Sequence, residues 1–363
     1  MDQKENPTPT AFVGLDLGKK TIVGARVDHN GKVLKRFTVS IPTPDLSALL
    51  QYIEPGDRIV MESGNQSFRI AQYFLDQGYS QTYVLNAGDL HVIYASMKKT
   101  DKEDSLKLAR LICHLPISQL PVVSLPSDWE LTGRRLVTEY RFWRKQHTQL
   151  VNALHGLFTS VGITYLKRSD LKSSRTRAAK VTSLTGSVSI TGKRYHEQLI
   201  HIEKNLKDME GDIQAHLREQ PGLVKISMSI PGIGLIGCLV LLSYLGDMSR
   251  FSHGDQVSHY AGLVPRVNCS GQQNHYGGIT KRGNSHLRGI LIQCAWVLVG
   301  SKDGGSLRTT YKELSIRKGK GRAIVAVARK MLVVLYQMMR TGELYRDIDE
   351  KNLEKKLKRY KIL

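Results

Sequence analysis

The sequence has few cysteines and no long apolar run. Its four cysteines, Cys113, Cys238, Cys269 and Cys294, lie far apart in 363 residues and form no Cys-x-x-Cys pair. This spacing indicates neither a zinc finger nor a disulfide framework, so we expect a reducing, cytoplasmic compartment. No apolar run is long enough to cross a bilayer. The polar N-terminus, MDQKENPTPT, lacks the apolar core of a signal peptide.

Acidic residues are scarce relative to basic ones. Lys and Arg number 53 against 32 Asp and Glu, for a formal net charge of +21. Because such an excess attracts polyanions, the composition favours a nucleic acid as partner. The alternative is a soluble basic protein without such a partner, but the basic residues cluster instead of scattering, which argues against it.

The first third of the chain alternates predicted strands and helices. AFVGLDLG, TIVGARVD and KVLKRFTVSI predict three strands, the last two joined by a turn at Asn30 and Gly31. There follow a helix near DLSALLQYI, the strand DRIVMES, the helix FRIAQYFLDQGY, the strand TYVLN and a helix opened by Asp101. The predicted order, βββαβαβα, is that of the ribonuclease-H-like fold.

Four carboxylates fall at the ends of these elements. Asp16 follows the first strand, Glu62 ends the fourth, and Asp101 and Asp104 lie three apart on one helix face. Carboxylates gathered at one point repel each other unless a cation joins them, and hard oxygen ligands suit Mg²⁺ or Mn²⁺. Each residue alone has a structural alternative, such as a turn, a surface acid or a helix cap. Their coincidence at matching element ends favours a site for phosphodiester chemistry.

The middle of the chain predicts two long helices with apolar seams at heptad spacing. The first seam consists of Leu136, Tyr140, Trp143, His147, Leu150, Leu154 and Leu157, and the second of Leu199, Ile202, Leu206, Met209, Ile213 and Leu217. We expect these helices to pair, either with each other or with a second subunit. The basic segment between them, KRSDLKSSRTRAAKVTSLTGS, predicts a mobile linker that either orders on nucleic acid or stays solvated. Arg141, Arg144 and Lys145 flank the first seam as candidate nucleic-acid contacts.

The last third predicts more helices. SIPGIGLIGCLVLLSYLGD indicates a helix, a glycine turn and a second helix, and the turn residues Gly232 and Gly234 offer amide donors to a DNA phosphate, as in a helix-hairpin-helix. A simple helical turn is the alternative. A predicted loop carries Ser270 and leads into an apolar helix at 285–296. The basic residues near this serine are candidate nucleic-acid contacts, namely Arg266, Lys281, Arg282 and Arg288. The basic tail is expected to fray.

Motifs in both halves resemble those of the DEDD transposases of insertion sequence family one-hundred-ten, which include bridge-RNA-guided recombinases. The front half supplies GLDLGKK, Glu62 and TDKEDSLKLA, and the rear half supplies SIPGIG, AGLVPR, Ser270–Gly271, ITKRGNSHLRGIL and KGKGRAIVAVARKML. The order and spacing of these motifs carry the resemblance over most of the chain.

The resemblance implies four parts. They are a RuvC-like catalytic domain over 1–125, a coiled coil with a basic linker over 126–220, a mainly α transposase domain over 221–345 and a basic tail over 346–363. By position, the resemblance also assigns the metal ligands and the nucleophile. These are Asp16, Glu62, Asp101 and Asp104 for Mg²⁺ or Mn²⁺, and Ser270 for attack on DNA.

The resemblance therefore predicts a prokaryotic, nucleoid-associated transposase that cuts and rejoins donor and target DNA through a covalent phosphoserine. It implies a noncoding bridge RNA and a homodimer that assembles to a tetramer, without a membrane. No ATP is expected, since the ester keeps the bond energy and no P-loop motif is present.

Two other functions stay open. A junction-resolving nuclease uses the same carboxylates with water as the nucleophile, and Ser270 is then a loop residue. A non-catalytic RNA- or DNA-binding protein with a decayed nuclease fold uses none of them. Among other nucleophiles, the Cys269 thiol is soft for a Mg²⁺ site, and aromatic packing is the expected role of Tyr260 and Tyr276.

Overall fold

The computed structural model describes residues 8–93, 101–270 and 273–362, and it describes the side chains in these ranges except at 91–93, 101–102, 267–270 and 273–276. The chain forms two compact units, Met1–Pro126 and Ser127–Leu363. Within the described ranges, no helix combines the length and apolar character needed to cross a membrane.

The first unit is built on a mixed sheet. Its strands are β1 (Phe12–Leu17), β2 (Thr21–Val27), β3 (Val33–Ser40), β4 (Arg58–Glu62), β5 (Thr82–Leu85) and β6 (Val122–Val123). The strand order is β3-β2-β1-β4-β5-β6. The first three strands form an antiparallel meander, while β4 runs parallel to β1 and β5 parallel to β4. The strand β6 was not predicted, and it pairs antiparallel with β5.

Helices cover both faces of this sheet. They are α1 (Ser67–Asp76), α2 (Ala87–Ile93) and α3 (Asp101–His114). On one face, Val13 and Leu15 are buried with residues of α1 such as Ile70 and Phe74. On the other, Phe12 shares a core with residues of α3. The helix expected near residue 48 is a short 3-10 turn, Ser47–Gln51, in which Leu49 alone is buried.

Gly14 allows α3 to lie directly on β1. A Cβ atom at this position would stand 2.1 Å from the backbone oxygen of Ser105 and 2.5 Å from the backbone nitrogen of Ala109. No side chain fits in such a gap, so the helix approaches the strand backbone itself.

We expect Gly14→Ala to lower the free energy of unfolding of the first unit by about 1–3 kcal/mol, because the added methyl group must push α3 off the sheet. Urea unfolding followed by circular dichroism measures this loss. Gly64→Ala is the matched control, since a Cβ at Gly64 has no neighbour within 4 Å. Equal stability of the two variants would contradict the close packing.

The second unit is mainly helical. Its helices are α4 (Asp128–Ser160), α5 (Ser174–Val181), α6 (Gly186–Arg218), α7 (Pro221–Ser229), α8 (Leu235–Leu245), α9 (Gly254–Tyr260), α10 (Ser285–Gly300), α11 (Gly305–Lys318), α12 (Lys320–Thr341) and α13 (Glu350–Arg359). A two-stranded antiparallel hairpin, β7 (Pro265–Ser270) and β8 (Gln273–Ile279), lies between α9 and α10. The main core gathers apolar residues of α7, α8, α10 and α12.

The two long helices, α4 and α6, pair with each other in the same chain and run antiparallel. Near one end, the Trp129 ring stacks on the His216 ring with centroids 4.3 Å apart. Further along, His147 Nε2 lies 3.3 Å from Glu203 Oε1. All six predicted seam residues of α6 are buried. The sequence left open whether these helices pair with each other or with a second subunit, and the structure shows them paired with each other.

The segment between these helices is folded, in contrast to the predicted mobile linker. We call residues 161–185 the tip cap, which contains a 3-10 turn at Arg168–Leu171 and the helix α5. Its apolar residues Leu166, Leu171, Val181 and Leu184 are buried with the ends of α4 and α6. These four anchors have no regular period, so the basic, hydroxyl-rich sequence around them conceals a small core.

Arg177 is the centre of the tip cap and is fully buried. Its guanidinium donates to both carboxylate oxygens of Glu203, at 2.8 and 2.9 Å. It also donates to His196 Nδ1 and to the carbonyl of Leu171, each at 3.0 Å. A buried charge is tolerated when it is paired and hydrogen-bonded in this way.

The C-terminal tail also differs from the prediction, because it forms α13 instead of fraying. Leu353 and Leu357 are spaced four apart and are both buried. Between them, Lys356 Nζ donates to the carbonyl of Met228 at 2.7 Å. Burial lowers the pKa of Lys356 to about 8. The tail is therefore docked on the end of α7 by packing and by this hydrogen bond.

Candidate active site

Asp16 and Glu62 lie side by side at the carboxyl ends of two parallel strands. The register pairs Leu15 of β1 with Met61 of β4, so the next residues on each strand are Asp16 and Glu62. Because side chains alternate along a strand, both point away from the face that buries Leu15 and Met61. Neighbouring strands are about 4.8 Å apart. Asp16 is half-buried and Glu62 is exposed, so the pair faces solvent at one edge of the sheet.

The first turn of α3 lies at the same edge. Gly14 shares a face with Asp16 and touches Ser105. Near the end of α3, Cys113 Sγ donates to the carbonyl of Asp28, next to the β2 residue that pairs with Phe12. The helix therefore runs antiparallel to β1. The step from Gly14 to Asp16 spans about 6.6 Å, which is the rise of about four helical residues. Counted back from Ser105, four residues lead to the start of α3 at Asp101.

Asp104 already has a cationic neighbour. Lys107 Nζ donates to Asp104 Oδ1 at 3.2 Å, and both side chains are partly exposed, at 25% and 30%. An exposed pair of this kind contributes at most about 1 kcal/mol, so a divalent cation can replace the ammonium group. Sequence reasoning missed Lys107, although its spacing of three residues from Asp104 was a usable signal.

The described residues do not form a closed metal site. Within the ranges whose side chains are described, no group of three or more His, Cys, Asp or Glu residues is arranged to hold an ion. The side chain of Asp101 lies outside those ranges. The donor set of Asp16, Glu62 and Asp104 consists only of carboxylate oxygens, which fits the chemistry of Mg²⁺ or Mn²⁺.

Ser270 ends the strand β7, in the second unit, and it pairs with Gln273 of β8. The predicted loop is therefore a β-hairpin with the serine beside its turn. The side chains of Ser270, Cys269 and Tyr276 lie outside the described residues. Tyr260 packs against the guanidinium of Arg250, 4.7 Å from its ring centroid, which agrees with the expected packing role.

The candidate nucleic-acid contacts are spread over the second unit. Arg266, Lys281 and Arg282 are exposed on and after the hairpin. Arg288 is half-buried and donates to the carbonyl of Ala261 at 3.2 Å, so it also supports the fold. On α4, three further candidates are exposed, namely Arg141, Arg144 and Lys145.

The glycine turn between α7 and α8 has a packing role. Gly232 has a φ of +90°, and a Cβ there would stand 2.3 Å from the carbonyl oxygen of Cys294 on α10. Gly234 precedes α8 as its N-cap residue and faces the Tyr360 hydroxyl, 3.0 Å from a built Cβ. A cleft of about 450 Å³ opens beside both glycines. Other parts of the chain approach the backbone of this turn so closely that it requires glycine, independently of any ligand that the turn binds.

Two family models match this chain. Residues 13–163 match the model of the IS110-type DEDD transposases, described as a transposase. Residues 224–312 match the model described as "Transposase IS116/IS110/IS902 family". Both parts of the chain therefore resemble IS110/IS116-type DEDD transposases. The first match contains all four predicted carboxylates, and the second contains Ser270.

Several curated relatives are transposases by name. The chain is similar to the transposase for insertion sequence element IS1111A of Coxiella burnetii, with 26% identity over 92% of this chain and 91% of the relative. It is also similar to a probable family 20 transposase of Pseudomonas aeruginosa, with 24% identity over 92% of this chain and 98% of the relative. Over a shorter stretch, 29% of the chain, the sequence is 32% identical to the transposase for insertion sequence element IS1328 of Yersinia enterocolitica.

The match to this transposase family confirms the family resemblance of the sequence. It implies an enzyme that cuts and rejoins DNA, in a family that is typically metal-dependent. The roles of the individual carboxylates and of Ser270 stay predictions.

Proposed function

We propose that this IS110-family transposase cuts and rejoins DNA by attack of the Ser270 hydroxyl on a phosphodiester, assisted by Mg²⁺ or Mn²⁺ and guided by a noncoding bridge RNA. The observation that carries this proposal is the β1–β4 register, which puts Asp16 beside Glu62 at the edge where α3 begins. Carboxylates at adjacent strand ends are suited to metal-assisted phosphodiester chemistry.

The fold of the first unit supports a RuvC-like, ribonuclease-H-like assignment. The strand order β3-β2-β1-β4-β5, with an antiparallel meander followed by parallel strands, is the arrangement expected from the predicted order of elements. In this assignment Asp16, Glu62, Asp101 and Asp104 hold the metal. A metal held there would supply Lewis-acid polarisation of the scissile phosphate.

The proposed reaction conserves the phosphodiester bond energy. The Ser270 hydroxyl loses its proton and its oxygen bonds to phosphorus, while the bond from phosphorus to the 3′ oxygen breaks and that oxygen takes up a proton. The result is a phosphoserine and a free 3′-hydroxyl. A 3′-hydroxyl of the exchanged strand then attacks the phosphoserine and releases the serine. A serine hydroxyl is weak as a nucleophile until it is deprotonated, which is why the site needs activation.

The proposed nucleic-acid partners rest on charge, and the proposed assembly rests on the family resemblance. A net charge of +21 suits a complex with both DNA and RNA. The carboxylates belong to the first unit and Ser270 to the second. We propose a homodimer that assembles to a tetramer on donor and target DNA.

Ser270→Ala tests the nucleophile. We expect this variant to lose both the covalent protein–DNA adduct and strand transfer, because no oxygen remains to form the ester. Denaturing gels with labelled DNA carrying the element ends measure the adduct and the products. Cys269→Ala is the matched neighbour, and it should keep both activities.

Three results would separate the alternatives. Cleavage retained by Ser270→Ala without an adduct would support a nuclease that uses water. An adduct lost only in Cys269→Ala would point to the thiol. Binding of Mn²⁺, followed by electron paramagnetic resonance, should be unchanged in Ser270→Ala, which shows that the loss is chemical and not a loss of metal.

A further inference from the structure

The tip of the α4–α6 hairpin carries a strong excess of positive charge. Between residues 150 and 196 the sequence has eight Lys and Arg residues but only one acidic residue, Asp170. The cations are Lys167, Arg168, Lys172, Arg175, Arg177, Lys180, Lys193 and Arg194. The part of α6 further from the tip has mixed charge, with Asp208, Glu210 and Asp212 among its lysines. The excess is therefore specific to the tip.

The charges of the tip are directed outward. Arg168, Lys172 and Arg175 of the tip cap are exposed, as are Lys193 and Arg194 of α6. In the part of the chain that the structure describes, none of these five forms an ion pair, whereas the buried Arg177 is neutralised by Glu203. Asp170 is the one acidic residue among them, and its Oδ2 accepts from the backbone nitrogen of Lys167 at 2.9 Å. The buried charge of the tip cap is therefore paired, whereas the five exposed cations have no ion-pair partner among the described residues.

An exposed aromatic ring lies within this charged surface. Tyr165 is 72% exposed, and Lys180 Nζ stands over its ring, 5.6 Å from the centroid. Tyrosine is usually at least half-buried in a folded protein, so a ring this exposed beside a cation is unusual. A flat ring beside ammonium and guanidinium groups can stack on a base while the cations meet the phosphates.

We infer that the tip cap is a binding surface for nucleic acid, in which Arg168, Lys172 and Arg175 contact backbone phosphates and Tyr165 stacks on an unpaired base. The surface is pre-organised, since the Arg177–Glu203 pair and the small core hold it folded without a ligand. Phosphate contacts of this kind do not depend on sequence. This inference rests on the proposed function only in that the chain works on nucleic acid. It is independent of the carboxylates and of Ser270.

The test compares two triple variants of the full chain. Arg168→Ala/Lys172→Ala/Arg175→Ala removes three charges from the tip cap. Lys204→Ala/Lys207→Ala/Lys225→Ala removes the same charge from exposed positions on α6 and α7 where acidic residues are interspersed. The probes are a labelled RNA stem-loop and a labelled DNA duplex of unrelated sequence. Binding is measured by fluorescence anisotropy in EDTA over a range of salt concentrations, so that no chemistry takes place.

We expect the tip variant to bind at least one probe about tenfold more weakly at moderate salt, and to reduce the slope of log affinity against log salt by about three, one for each lost phosphate contact. The control variant should change both quantities much less. Weakening for the stem-loop alone identifies RNA as the ligand. Weakening for the duplex alone identifies DNA and contradicts the stacking role of Tyr165, since a duplex offers no unpaired base. Equal behaviour of the two variants on both probes would overturn the inference.

Tyr165 provides a second, independent readout. Tyr165→Leu should weaken binding of the stem-loop about tenfold without changing the salt slope, because stacking involves no counterion release. Tyr165→Phe keeps the ring and should restore binding. Because the exposed side chain makes few internal contacts, the variants should unfold at the same temperature as the parent protein. If Ser270→Ala retained full strand transfer, the proposed chemistry would fail while this binding test still stood.

Discussion

Asp104→Asn should reduce strand transfer by about 100-fold or more, because a metal ion held by carboxylates contributes several kcal/mol of charge stabilisation at the phosphate. The fold should survive this change. Asp104 is partly exposed, and its described ion pair is the exposed one with Lys107, whose loss lowers the free energy of unfolding by at most about 1 kcal/mol. The rates of strand transfer in Mg²⁺ and the unfolding temperature are the two measurements.

Glu103→Gln is the matched control for this prediction. Glu103 is the neighbouring acid on α3, and its carboxylate lies 4.0 Å from the guanidinium of Arg36. The same loss of one negative charge there should leave strand transfer within about twofold, since exposed charge pairs contribute little. Full activity of Asp104→Asn would argue for a non-catalytic nucleic-acid-binding protein. An equal loss in both variants would mean that net charge, and not metal binding, is what matters.

Arg177→Met should lower the stability of the α4–α6 hairpin by about 3 kcal/mol, because breaking a buried ion pair leaves the partner charge without compensation. We expect a loss at the lower end of the range for broken buried ion pairs, because the Glu203 side chain is 29% exposed. Arg175→Met is the control on the same helix. Arg175 is exposed, and its replacement should change stability by less than about 0.5 kcal/mol.

Amide hydrogen exchange in α5 and α6 localises the effect, because the lost contacts hold the tip cap. Exchange should become faster there in Arg177→Met and stay unchanged in the first unit. If Arg175→Met and Arg177→Met exchanged at the same rate, the buried pair would not be what holds the cap.

The effect of Arg177→Met should also depend on pH. Burial raises the pKa of Glu203, but the hydrogen bonds and charge of Arg177 and His147 outweigh it, so the pKa of Glu203 is below its ordinary value of 4.5. A carboxyl with a lowered folded pKa gives stability that is present above its unfolded pKa and is lost as pH falls through the folded value. The difference in stability between the parent and Arg177→Met should therefore shrink below about pH 4.5.

Much of the architecture could be predicted where the pattern is regular. The apolar runs in AFVGL and DRIVM predict buried strands, and the seam from Leu199 to Leu217 predicts a buried helix face. The prediction of an α/β first part followed by a mainly helical remainder is confirmed. For the candidate site, the sequence predicts that Asp16 and Glu62 follow strands, and the register then makes them neighbours.

Other features could not be predicted because they depend on contacts distant in sequence. The tip cap folds around Arg177, whose partner Glu203 is 26 residues away, and a basic residue in a polar segment gives no local sign of burial. The tail forms α13 because Lys356 meets carbonyl groups at the end of α7. The apolar seams of the two long helices do not show whether they pair with each other or with a second subunit. Apolar periodicity identifies the buried face of a helix but not the element that covers it.

The length of α4 gives the hairpin a mechanical role. With 33 residues, this helix extends about 50 Å, and the cap at its far end is braced by a charge pair. That distance is about one and a half turns of a DNA duplex, at roughly 34 Å a turn. With the tip cap bound to a duplex as inferred, this length would place that contact about 15 base pairs from a contact at the other end of the helix. Inserting seven residues into both helices would lengthen it by about 10 Å and shift the outer contact by three base pairs.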